Sequence, residues 1–89
     1  MVNGETTRFV MGADRNIEAR QVMSEVMAAL EEKGYNPINQ LVGYFVSGDP
    51  TYITNYRGAR ATIRQMERDE LLEVIIREYV HGLKREGRY

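Results

Sequence analysis

The sequence predicts an all-α fold, a compact bundle of four to five short helices that pairs as a helical homodimer. Three observations carry this. Apolar residues recur at three- and four-residue steps through most of the chain, which puts them on one side of a helix. Helix-start and helix-stop signals separate these runs. No segment alternates apolar and polar residues as a half-buried strand would, and no internal repeat is present.

The first helix is expected from Asp14 or Asn16 to Lys33. Ile17, Val22, Met23, Val26, Met27 and Leu30 form its apolar stripe. Gly34 can take the left-handed conformation that ends a helix, with Tyr35 folding back over the last turn. Asn36-Pro37 then starts a second helix: asparagine accepts a backbone N–H, and proline at the first helical position gives up a donor that has no partner there. Ile38, Leu41, Val42, Phe45 and Val46 follow at helical steps, and Gly43 invites a close crossing. Asp49-Pro50 repeats the start signal for a short turn through Ile53. A further helix is expected from Thr54 or Asn55, with Tyr56, Ala59, Ile63 and Met66 on its inner stripe. The last begins at Asp69 and carries Leu71, Leu72, Val74, Ile75, Ile76, Tyr79, Val80 and Leu83.

That last helix supplies the argument for pairing. At about 100° per residue its apolar positions spread over roughly 180° of the circumference, whereas facing a core takes a stripe somewhat over 100° wide. Either the chain wraps this helix, or one side meets a second copy; two-fold pairing uses a single patch on both partners. Leu72, Ile75, Ile76, Tyr79 and Val80 are the candidate interface residues. The chain divides into a flexible N-terminal arm (1–14), a helical domain (15–84) and a charged tail (85–89).

Composition narrows the function. Leu, Ile, Val and Phe make up about a quarter of the 89 residues, enough to fold. Twelve basic residues against thirteen acidic ones give a formal charge of −1, which argues against bulk attraction to nucleic acid or anionic membrane. There is no cysteine, so no disulfide, thiolate nucleophile or cysteine-held zinc is possible. The longest uncharged run, Gly34 to Gly48, is too short and polar to span a bilayer, and residues 1–12 lack the apolar stretch of a signal peptide. A cytoplasmic protein without enzymatic activity or cofactor is expected.

Four candidate constellations remain. Arg57, Arg60, Arg64 and Arg68 would fall within roughly an 80° arc of an ideal helix, an arrangement able to read phosphate or carboxylate. The acidic residues Glu67, Asp69, Glu70 and Glu73 lie beside them, so the ordinary alternative is a solvated, salt-bridged face. Glu67, Glu70 and Glu73 have the spacing of carboxylate metal ligands, but a di-metal helical site also needs histidines, and His81 is the only one. Tyr35, Tyr44, Tyr52 and Tyr56 suit packing better than base stacking. Thr6 and Thr7 offer hydroxyls in an arm able to extend into a kinase cleft, where a phosphate would add about −1.5 to −2 charges. A small RNA- or DNA-binding module using the arginine face is the alternative reading.

The stretch from Lys33 to Ile53, KGYNPINQLVGYFVSGDPTYI, resembles the signature of the IreB family of small regulatory phosphoproteins of Gram-positive bacteria. The similarity continues through Tyr56, Ala59-Arg60, Ile63-Arg64 and Glu67 to Glu70, and reaches back to Glu5-Thr6 and Arg8-Phe9. The resemblance implies a helical, cytoplasmic homodimer with no enzymatic activity. It also implies phosphorylation in the arm by a membrane-anchored Ser/Thr kinase bearing PASTA repeats and reversal by a partner phosphatase. The output would tune cell-wall stress responses, including cephalosporin resistance, through a downstream protein. The Glu-Thr-x-Arg-Phe context carries over to Thr6, with Thr7 as the second candidate. A phosphate there could draw the arm to the arginine face or push it off nearby carboxylates.

Overall fold

The computed structural model describes the backbone of residues 3–89 and the side chains of residues 15–89. Four α-helices are present among them and no strand: α1 (Asn3–Glu32), α2 (Pro37–Ser47), α3 (Ala59–Ile63) and α4 (Arg68–Arg85). Two 3-10 turns, Pro50–Tyr52 and Tyr56–Gly58, link α2 to α3. The first helix is long rather than short, and its backbone begins well before Asp14. Once the packed portion has formed, each further residue adds a hydrogen bond without a new nucleation cost, and no proline intervenes. The expected arm, with Thr6, Thr7 and Phe9-Val10-Met11, lies outside the residues whose side chains are described.

The local signals between the helices act as their chemistry dictates. Gly34 has φ 86°. The Tyr35 N–H donates to the Leu30 carbonyl and the Gly34 N–H to that of Glu31, both at 2.9 Å, which is the paired Schellman closure. The Asn36 side chain accepts from the Asn39 N–H at 3.0 Å, and Pro37 opens α2. The Asp49 carboxylate accepts from the Thr51 N–H at 2.9 Å and its hydroxyl at 2.8 Å. Those two bonds, the backbone one foremost, hold the Asp49 carboxyl below its ordinary value of 3.8.

The region after Thr54 departs from the expected single helix. Arg57 and Gly58 are both left-handed, with φ 56° and 71°, so the chain kinks before α3 and α3 ends at Ile63. The kink is compatible with burial: Ile53 before it and Ala59, Ile63 and Met66 after it all reach the core, at 0%, 2%, 0% and 5% exposure. The last helix also begins earlier than Asp69. Glu67 caps it, and the Glu70 carboxylate reaches back to the Glu67 N–H at 3.2 Å.

Arg57 is the one non-glycine residue with positive φ among the described residues. Left-handed backbone costs an L-residue about 1–2 kcal/mol, while its ion pair with Glu32, 3.5 Å apart and largely solvated, contributes well under that. Arg57→Gly is therefore expected to raise stability by about 0.5–1 kcal/mol in urea unfolding. Gly58→Ala, with the same backbone sign, is expected to lower it by a similar amount.

The core joins α1 to α3 and the loop before it. Val22, Val26, Ala29 and Leu30 of α1 meet Ile53, Ala59, Ile63 and Met66, with Leu41 and Tyr44 from α2 and Leu71 from α4. Three expected stripes are used only in part. Ile17 is exposed on α1; Ile38, Val42 and Val46 are exposed on α2. On α4 only Leu71 is buried. The alternative in which the chain wraps its last helix is thus not what the described residues do.

Candidate functional site

Arg57, Arg60, Arg64 and Arg68 do not share a helix face. The kink at Arg57 and the end of α3 distribute them over a 3-10 turn, α3, the residue after it and the start of α4. Three are engaged locally. Arg57 pairs with Glu32 and lies 5.7 Å from the Tyr56 ring. Arg60 Nε donates to the Ile53 carbonyl at 2.9 Å. Arg68 donates to the Phe45 carbonyl at 3.0 Å, tying α4 to the end of α2. The guanidiniums of Arg60 and Arg68 thus satisfy carbonyls that no helix supplies with a donor. Arg64 is exposed and has no side-chain hydrogen bond or ion pair among the described residues.

No group of three or more His, Asp or Glu among the described residues is placed to hold a metal ion. Glu67, Glu70 and Glu73 do not converge: Glu70 serves the cap and faces Arg15 at 3.7 Å, while Glu73 takes Arg77 at 2.6 Å one turn on. His81 is exposed one turn before the end of α4, at the rim of a polar pocket lined by Arg15, Glu70, Glu73, Arg77 and Glu78. Tyr44 is a core residue, its ring edge-on to Phe45 with centroids 5.6 Å apart. No described helix is long and apolar enough to cross a membrane.

What the described surface offers instead is apolar area in three places. On α4, Leu72, Ile76 and Tyr79 are 40%, 53% and 68% exposed, while Ile75 and Val80 are half-buried. Between α1 and α4 runs an open groove of about 690 Å³ floored by Ile17, Ala19, Met23, Met27, Val74 and Ile75. The Arg20–Glu78 ion pair, at 2.7 Å, closes one side of it. On α2, Ile38, Val42 and Val46 line the outer face.

The sequence reading placed the α4 surface but missed the other two. The groove arises because α4 is anchored at Leu71 near its start, a tertiary fact without a local signal. The α2 surface had a signal: Ile38, Val42 and Val46 repeat at four-residue steps on a different side from Leu41 and Tyr44.

Comparison with known proteins agrees with the residues that carried the resemblance. A UPF0297 protein of Acetivibrio thermocellus is 58% identical over 80 residues, covering 90% of this chain and 89% of the relative. A UPF0297 protein of Ruminiclostridium cellulolyticum is 53% identical over 78 residues, covering 88% and 89%. The family model described as IreB regulatory phosphoprotein matches residues 4–81, a span that takes in Thr6, the Asn36-Pro37 and Asp49-Pro50 caps and most of α4. The chain belongs to the IreB regulatory phosphoprotein family.

Proposed function

We propose that the chain is a non-enzymatic cytoplasmic adaptor, paired as a homodimer and switched by phosphate on Thr6. The observation that carries this is the family match beginning at residue 4, so that Glu5-Thr6-Thr7-Arg8-Phe9 lies inside the matched span. The exposed α4 residues Leu72, Ile76 and Tyr79, flanked by Ile75 and Val80, support pairing through that helix. A Ser/Thr kinase with PASTA repeats adds the phosphate, a partner phosphatase removes it, and a downstream protein converts the state into a cell-wall stress response that includes cephalosporin resistance. About −1.5 to −2 charges and three strong acceptors on one threonine are a large local change for a chain of net charge −1.

The modification is tested by incubating the protein with a PASTA-type kinase domain and ATP, then mapping phosphate by peptide mass spectrometry. Thr6 is expected to carry it. Thr6→Ala should remove nearly all incorporation, and Thr7→Ala should leave most of it. Incorporation that persists at full level when both threonines are alanine would refute the assignment of the arm.

A further inference from the structure

One aromatic ring among the described residues carries two cations. Tyr56 packs half-buried against the core, so the fold sets the position of its ring. The Lys33 ammonium lies 5.2 Å from the ring centroid and the Arg57 guanidinium 5.7 Å. Lys33 follows the end of α1 and Arg57 sits in the turn before α3, so tertiary packing brings the two charges together. Lys84 stands over Tyr89 in a similar way, but that ring is 76% exposed and has no such anchor.

Neither cation is needed to hold the chain. The last carbonyls of α1 already accept from the Lys33, Gly34 and Tyr35 N–H groups, so the helix closes without the Lys33 ammonium. Lys33 has no carboxylate partner among the described residues. Nor do the Lys33, Arg57 or Tyr56 side chains make a hydrogen bond among them. Arg57 faces Glu32 at 3.5 Å in a loose, solvated ion pair. It does so from left-handed backbone that glycine would adopt at no steric cost. Strain kept at a surface residue whose own contacts repay only part of it points to a use for that side chain outside the chain.

Charge decides the class of ligand. Glu32 already offers Arg57 one negative charge, so a carboxylate ligand would compete on equal terms. A phosphate monoester brings about −1.5 to −2 charges and three acceptor oxygens, enough for an ammonium, a guanidinium and a phenol together. Length decides which arm can supply it. The first helix runs unbroken from Asn3 to Glu32, which puts about 40 Å between residues 6 and 33 at 1.5 Å per residue. The chain's own Thr6 is therefore out of reach, whereas the threonine of a second copy is under no such constraint.

We propose that Lys33, Arg57 and the Tyr56 hydroxyl form a binding site for a phosphate monoester, filled by the phosphorylated arm of a second copy. The choice of occupant rests on the regulatory reading; the site rests on its own geometry.

The test is binding of a dye-labelled synthetic peptide of residues 2–12, with phosphothreonine at position 6, to the full chain, read by fluorescence anisotropy. The same peptide without phosphate, and inorganic phosphate as competitor, are the other two arms. The phosphopeptide is expected to bind, and removing its phosphate to weaken binding by about tenfold or more. Arg57→Gly should weaken it about tenfold while raising the urea midpoint, a combination that lost folding does not produce. Lys33→Gln should also weaken it, and Glu32→Gln, which removes the competing carboxylate, should tighten it. Arg64→Ala, at an exposed arginine without a side-chain partner among the described residues, should change it by less than about twofold. No binding of the phosphopeptide, equal binding by Arg57→Gly, or an equal loss in Arg64→Ala would each overturn the site. Free phosphate that displaces the peptide at equal concentration would support the site and overturn the arm as its occupant. The peptide is synthetic, so its binding is independent of any kinase, and failure to phosphorylate Thr6 would remove the regulatory reading alone.

Discussion

Ile63→Ala is expected to lower stability by about 2–5 kcal/mol, seen as a large fall in the urea midpoint. Ile63 is fully buried at the end of α3, a helix of five residues. So short a helix does not persist by itself, because nucleation costs more than one turn returns. Packing of Ala59 and Ile63 against Val22, Val26 and Leu30 of α1 is what holds it. Alanine is the better helix former, so any loss comes from the cavity and the lost contacts rather than from propensity. For 89 residues the total stability is on the order of 4–13 kcal/mol, and this substitution removes a large share. Val46→Ala, at a position 80% exposed, should change it by less than about 0.5 kcal/mol. Equal effects at the two positions would contradict the assigned core.

The second large effect concerns pairing. Ile76→Glu combined with Tyr79→Glu is expected to halve the mass measured by light scattering, from twice 10.3 kDa to 10.3 kDa. Both residues are more than half exposed in the single chain, so neither change disturbs its fold. In a paired state the same carboxylates would be buried against an apolar surface, and burying an unpaired charge costs several kcal/mol. Circular dichroism should remain that of the parent chain. A wild-type mass of 10.3 kDa at high concentration would refute pairing through α4.

Where the structure matches the sequence reading, the signal was local. Gly34, Asn36-Pro37 and Asp49-Pro50 each act within three or four residues of backbone, so their outcome depends little on the rest of the fold. The kink at Arg57-Gly58 was less legible, because arginine rarely takes a left-handed conformation and nothing in its side chain marks it for one. That kink also dissolved the expected arginine face, since an arc drawn on an ideal helix assumes that the helix continues. The close approach at Gly43 was legible from glycine inside a helix, but its partner, Tyr52, was fixed by the turn that follows. Thr6 and Thr7 were marked only as hydroxyls near the chain start, and the preference for Thr6 came from resemblance: a threonine there has no periodicity to mark it.

The proposed switch requires that phosphate on Thr6 be the regulated state of this protein in its own cell. Intact-mass and peptide analysis of the protein purified from native cells, before and after exposure to a cephalosporin, measures it directly. A singly phosphorylated population located on Thr6 is expected, whose fraction changes with the drug and vanishes in a kinase-deficient strain. A population without phosphate under both conditions, or phosphate confined to residues outside the arm, would contradict it.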